Sequence, residues 1–253
     1  MIYTGNPKEI KDRIRRRIWD LLEEKNVTLF PKPIYHRIPN FIGADIVAAK
    51  LSSLDIFKEA KVIKINPDSP QRFVRYLALS QNKIIVMPTP RIRNGFLVLN
   101  PSKIPRDKLW DASSISGAYR YGVTTKPWDL PKIDLVVIGS VAVNPRGARL
   151  GKGEGYAELE YAILRMLCKV GEETLVVTTV HDLQIVYDDI PVEPYDVNVD
   201  IIVTPKNTIY VDPRPPKPRG IFWDLLPEQK LREIPILREL RDKLKSVKDI
   251  SCS

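Results

Sequence analysis

The stretch RLGKGEGYAELE, Arg149 to Glu160, crowds three alternating glycines, a tyrosine and an acidic run behind an arginine. Each glycine costs backbone entropy on folding and brings no side chain to pack, so this spacing implies that something approaches the backbone. Gly151, Gly153 and Gly155 can present successive N–H groups, and a helix starting just after them adds its partial positive charge. Arg149 and Lys152 add full charges. That set suits a polyphosphate; a glycine-bearing turn between strand and helix would use the same residues. The spacing is neither that of a Walker A loop, which ends Gly-Lys-Ser/Thr, nor the G-x-G-x-x-G of dinucleotide binders.

Other residues compete for a role. Lys11 and Arg15, four apart in KEIKDRIRRRIWDLLEEKN, share a helix face. Arg91 and Arg93 in PTPRIRNG alternate after a strand, so they either address one ligand or pair with surface acids. His181 and Asp182 follow the run TLVVTTV, where a general acid or base could sit, or they form a structural hydrogen-bonded pair. Asn40, Asn66 and Asp68 read as caps or turn residues. Two histidines, His36 and His181, and two cysteines, Cys168 and Cys252, make neither zinc spacing nor a disulfide framework, which disfavours zinc and thiol enzymes.

The elements that must position these residues alternate. Ile10, Ile14, Ile18 and Leu21 or Leu22 predict an amphipathic first helix stopped at Asn26. VIKIN and KIIVM predict short strands around a helix in PQRFVRYLALSQN, and the segment from Arg91 to Pro131 reads as irregular. IDLVVIGSVAV is a continuous apolar run suited to a central parallel strand. A helix follows the glycines, with Leu159, Ala162, Ile163, Met166 and Leu167 on one stripe, and two further strands complete the pattern. The expectation is a Rossmann-like three-layer α/β/α sandwich with a largely parallel sheet, its ligand at the carboxyl ends of the strands. Residues 1–210 form that domain, and residues 211–253 form a proline-rich crossing and a C-terminal helix packed on it through Leu231, Ile234, Leu237 and Leu240. Trp223 anchors the tail.

The 253 residues are ample for a full core, and +9 net charge makes polyanions plausible partners. No apolar run approaches a membrane span and no signal-peptide core follows the first charges, so the expectation is a cytoplasmic protein with no membrane partner. Sequence leaves the oligomeric state open.

RLGKGEGYAELE, with the preceding DLVVIGSVAVNPRG, resembles the RLGxGxGYYDR motif of 5-formyltetrahydrofolate cyclo-ligases, also called methenyltetrahydrofolate synthetases. HRIPNFIGA, VIKINPDSPQ, MPTPRIRNG, VHDLQIV and RPPKPRGIFW are similar to segments of the methenyltetrahydrofolate synthetase domain-containing subgroup; the expectation is that this chain lacks the RNA-recognition domain that some members of that subgroup carry. The resemblance implies a ligase of folate one-carbon metabolism that uses ATP and Mg2+ to cyclise 5-formyltetrahydrofolate through a phosphorylated formyl group. It implies that Lys11, Arg15, Arg149 and Lys152 neutralise phosphates and that Gly151, Lys152, Gly153, Glu154, Gly155 and Tyr156 contact the nucleotide. Tyr156 would line the pterin side, and Glu158 and Asp196 would ligate the metal; Arg91 and Arg93, the other candidate substrate-binding residues, could hold the substrate's carboxylate tail or pair with surface acids. Departures are Ala157 where the family has its second tyrosine, Glu158 where it has aspartate, and no clear folate-contacting acid, with Asp45 the nearest candidate. Two rival readings follow: an ATP-dependent enzyme on another substrate, or a nucleotide- or RNA-binding accessory without turnover, nucleic acid being the less favoured partner.

Overall fold

The first helix brings two cations into the interior along with its apolar stripe. The computed structural model describes residues 5–246. Helix α1 (Pro7–Glu24) begins where the Asn6 side chain accepts from the Lys8 N–H at 3.0 Å, with proline at the first position. Ile10, Ile14, Ile18 and Leu22 are buried at the expected spacing, and Lys11, Arg15 and Trp19 are buried with them. A small antiparallel ribbon, β1 (Thr28–Leu29) and β2 (Asn40–Phe41), leads to α2 (Ala44–Ser53) and α3 (Asp55–Glu59).

Next come β3 (Val62–Ile65), α4 (Arg72–Ser80), β4 (Ile84–Pro88), β5 (Phe96–Leu99), α5 (Leu109–Ala112), α6 (Ile115–Tyr121), β6 (Val123–Thr125) and β7 (Leu135–Ile138). The segment expected to be irregular therefore holds two strands and two short helices. Runs of three or four residues on antiparallel edges are too short to show a period. IDLVVIGSVAV is also not one strand. After Gly139 the chain leaves the sheet and pairs β8 (Ala142–Val143) with β9 (Arg149–Leu150). A Cβ on Gly139 would lie 3.0 Å from Ile38 and 3.1 Å from the Asp68 carboxylate, so a side chain there would force the neighbours apart.

The chain closes with α7 (Tyr156–Met166), β10 (Leu175–Thr179), β11 (Ile201–Val203), β12 (Thr208–Tyr210), α8 (Glu228–Glu233) and α9 (Pro235–Ser246). The main sheet runs β12-β11-β10-β7-β3-β4-β5-β6; β11, β10, β7, β3 and β4 pair in parallel, and β12, β5 and β6 join through antiparallel pairings. Alternate residues feed two cores: Ile63, Ile65, Leu135 and Val137 face α2 to α6, whereas Val62, Val136, Ile138 and Val176 face α7 and α9. The result is a three-layer α/β/α sandwich with a largely parallel sheet. A third cluster packs α1 against β8 and β9.

The tail holds two helices rather than one, broken at Ile234, because proline at 235 disfavours a helical residue before it. Ile234, Ile236, Leu237 and Leu240 are fully buried, while Leu231 and Trp223 are partly buried. Cys168 is disulfide-bonded, although the sequence reads as having no disulfide framework; Cys252 lies outside the described residues. No helix among the described residues is long and apolar enough to cross a membrane.

Candidate functional site

The carboxyl ends of β3, β4 and β7 open into a cleft of about 990 Å³. Asn66 to Asp68 after β3, Thr89 to Arg91 after β4 and Gly139 after β7 form one wall; residues 151–160 form another. Helix α1 closes the cleft with Lys11 and Arg15, and the tail reaches it with residues 220–222, 225–227 and 230.

Two guanidinium groups flank the glycines. Arg15 Nε donates to the Gly151 carbonyl at 2.7 Å, and a Cβ on Gly151 would lie 3.0 Å from the Arg149 guanidinium. Gly153 lies against Arg15, where a Cβ would make an ordinary 3.4 Å contact with the guanidinium, and its φ of +99° is what favours glycine. The loop thus runs between the Arg15 and Arg149 guanidinium groups. Gly155, at φ +71°, turns the chain into α7. Among the described residues, the N–H groups of Lys152, Gly153, Glu154 and Gly155 have no intramolecular acceptor, so they are available to an anion.

The cations are held firmly. Arg149, its side chain fully buried, donates to the Gly139 carbonyl at 2.8 Å and the Val197 carbonyl at 3.1 Å and pairs with Glu158. Lys11 pairs with Glu193 at 2.7 Å and with Asp196. Arg15 pairs with Asp12 at 2.6 Å and Lys152 with Glu154 at 2.9 Å. Glu158, Glu193 and Asp196 all raise the phenol pKa of Tyr195, although burial is the larger cause. Among the described residues no group of three or more histidine, cysteine or acidic side chains is placed to hold a metal ion, and Glu158 and Asp196, the expected metal ligands, are each paired with a cation of the cleft.

Tyr156 bounds the other end. Its hydroxyl donates to Glu233 at 3.2 Å, and Lys230 Nζ lies 3.2 Å from its ring centroid. Arg91 lines the same end, whereas Arg93 is exposed and does not line the cleft, so the two arginines are not brought to one ligand. His181 and Asp182 serve structure: His181 Nδ1 accepts from the Leu183 N–H at 3.1 Å, and Asp182 accepts from Thr204 Oγ1 at 2.7 Å. Burial lowers the His181 pKa. Asp45 is exposed and away from the cleft, and Asn40 braces the β1–β2 ribbon through the Phe30 carbonyl.

Sequence reasoning missed the floor. Lys64, inside the otherwise apolar β3, is 1% exposed and pairs with Glu160 of α7 at 2.6 Å, with Asn66 Oδ1 accepting a second Lys64 proton at 2.7 Å. Burial raises the Glu160 pKa against the pull of Lys64. Asp68 joins this floor, its pKa also raised by burial, with Lys152 the foremost opposing charge. A lysine within an apolar strand was the available signal. Glu193, Lys230 and Glu233 gave none.

Fold and cleft together define an α/β protein whose ligand site opens at the carboxyl edge of its parallel strands. Residues 7–205 match the model of the 5-formyltetrahydrofolate cyclo-ligase family, and the chain belongs to that family. It is 43% identical over 247 residues to a methenyltetrahydrofolate synthase domain-containing protein of Mus musculus, covering 95% of this chain and 66% of that relative. The relative from Homo sapiens is 42% identical over 236 residues, covering 91% and 61%. The chain thus spans just under two thirds of the length of the relatives it matches. A solved 5,10-methenyltetrahydrofolate synthetase from Aquifex aeolicus shares the fold, with a TM-score of 0.51, 18% identity, and coverage of 80% of this chain and 93% of that one.

Proposed function

We propose that this chain is a cyclo-ligase that uses ATP and Mg2+ to convert 5-formyltetrahydrofolate, or a related formyl-pterin, to its 5,10-methenyl form. The convergence of Arg15 and Arg149 on a glycine loop with open N–H groups carries the reading. Phosphoryl transfer depends on positioning and charge neutralisation more than on a covalent nucleophile, and this cleft supplies both. In the proposed reaction the γ-phosphoryl group passes from ATP to the formyl oxygen. The neighbouring nitrogen then bonds to the activated carbon and loses its proton, and the C–O bond breaks to release phosphate.

The chain's own groups divide the work. Residues 151–155 cradle phosphates through N–H donors, and Lys11, Arg15, Arg149 and Lys152 neutralise them. Lys11 and Arg149 hold Asp196 and Glu158 in the free cleft, so an entering polyphosphate exchanges partners: it takes the cations and frees the carboxylates. Glu158 and Asp196 would then hold Mg2+, which supplies further neutralisation of the phosphates. Tyr156 bounds the pterin.

The pairing of Glu158 with Arg149, together with Ala157, favours one second reading: nucleotide binding without turnover. An absorbance assay for methenyl product with 5-formyltetrahydrofolate, ATP and Mg2+, beside a control lacking ATP, separates the two. ATP-dependent product is expected; ATP binding with no product would overturn the cyclisation reading.

A further inference from the structure

Arg75 lies on the buried face of α4 and is 2% exposed, yet its hydrogen bonds go to backbone carbonyls and to no carboxylate among the described residues. A guanidinium taken out of water without an ion partner is costly unless its donors are used. Nε donates to the Ser113 carbonyl at 2.8 Å, and Nη1 donates to the Asn66 carbonyl and, at 3.1 Å, to the Asp68 carbonyl. Burial pushes its pKa down to about 9, with Asp68 the foremost opposing charge, so Arg75 is still a cation at neutral pH.

The three carbonyls belong to two segments that reach the cleft. Asn66, Asp68 and Ser69 line it after β3, and Ile115, two residues beyond Ser113, lines it from the start of α6. A Cβ on Gly117 would lie 1.9 Å from the Asp111 carbonyl, and the Ser114 hydroxyl accepts from the Gly117 N–H at 2.9 Å, so α5 and α6 meet in one fixed corner. Arg75 fastens the turn after β3 to that corner. With the Asn66 and Asp68 carbonyls turned back onto Arg75, the Asp68 side chain is left to the cleft, beside Gly139. The glycine loop and α1 supply the phosphate-facing cations, and Arg75 hydrogen-bonds to neither.

We propose that Arg75 is a positioning residue for the acceptor substrate: by tying the turn after β3 to the α5–α6 corner, it fixes the wall against which the formyl-pterin lies and leaves nucleotide binding to the glycine loop. The inference rests on the formyl-folate reading above. Arg75 does not touch the substrate; it acts through the placement of Asn66, Asp68 and Ile115. An ammonium in its place keeps the charge but lacks the planar fork that spans two segments.

The test measures binding of 5-formyltetrahydrofolate and of a non-hydrolysable ATP analogue separately by calorimetry, and methenyl formation with 5-formyltetrahydrofolate and ATP together. Arg75→Met is expected to lower kcat/KM for 5-formyltetrahydrofolate by about 100-fold and Arg75→Lys by about tenfold, with the KM for ATP and the affinity for the analogue unchanged. Val74→Ala, next to it on α4 and wholly buried in the same core, should lose stability to urea and leave the constants for both substrates unchanged, which separates wall placement from general loosening. Where Arg75→Met does not fold, Arg75→Lys carries the comparison. Unchanged constants in either Arg75 variant, equal losses on both substrates, or the same acceptor loss in Val74→Ala would overturn the positioning role while leaving cyclisation intact. Weaker 5-formyltetrahydrofolate binding in Arg75→Lys, with no product from the wild type, would sustain the positioning role and remove the cyclisation reading. Failure of the wild type to bind 5-formyltetrahydrofolate would remove both.

Discussion

In the cleft, Lys11, Arg15, Arg149 and Lys152 each already hold a carboxylate, whereas Arg91 has no hydrogen-bond or ion-pair partner among the described residues and Lys230 holds a backbone carbonyl. The paired side is built by α1, the β9–α7 loop and the segment around Asp196, all within the family match. The other is completed by a tail beyond it. Pre-paired charges keep a cleft neutral and its side chains ordered until a polyphosphate exchanges partners with them. Arg91 is instead presented to the cleft by a turn in which it and Ile92 both have φ +55°. One chain thus shows two ways of keeping cations in a cleft without collapse.

The largest expected effect lies on the paired side. Arg149→Met removes three anchoring contacts and leaves Glu158 without its cation, so methenyl formation should fall by roughly 100-fold or more. Arg149→Lys should recover little, because an ammonium cannot span two carbonyls and a carboxylate as a planar fork does. Near-normal turnover in either variant would erase the asymmetry between the two sides.

The floor beneath both sides should respond in stability. Lys64→Met would leave Glu160 buried with no cation and cost about 3–5 kcal/mol in urea unfolding. Adding Glu160→Gln should return much of that loss. If the single variant loses nothing, Lys64 belongs to ligand binding and not to the frame.

The tail side should be separable by loosening its anchor. Leu240, fully buried in the core under α9, should cost about 2–4 kcal/mol when changed to alanine. If the tail completes only the Tyr156 end, the proposed reaction should show a higher KM for the pterin and an unchanged KM for ATP in the protein that remains folded. Equal changes in both would mean that the tail supports the whole cleft.

What could be read beforehand follows the same division. The parallel core was legible because buried strands such as TLVVT and VDIIV announce themselves by continuous apolar residues, and α1 by its four-residue spacing. The glycine loop was legible because its composition is costly without a purpose. Gly139 hid the end of β7, since a strand leaving the sheet keeps its apolar character when β8 is buried too. Lys64 and Glu160 are 96 residues apart and meet only through the packing of α7 on β3. Lys230 lies in an ordinary charged helix, and only the path of the tail brings it to Tyr156.

The smallest effect concerns Asp68, which lines the cleft opposite Lys152 and accepts no hydrogen bond from another described side chain. Burial raises its pKa above the ordinary 3.8, outweighing Lys152, Arg75 and Lys64. A carboxyl raised on folding contributes stability below its unfolded pKa and loses that contribution as pH rises through the folded value. Asp68→Asn cannot ionise, so it should match the wild type below the ordinary carboxylate range and become the more stable protein as pH rises toward neutral. Urea unfolding at a series of pH values measures the gap. A gap of the opposite sign, with the wild type becoming the more stable protein as pH rises through the ordinary carboxylate range, would mean that the Asp68 carboxylate is held by the cleft's cations, which would place it among the paired charges on the phosphate side.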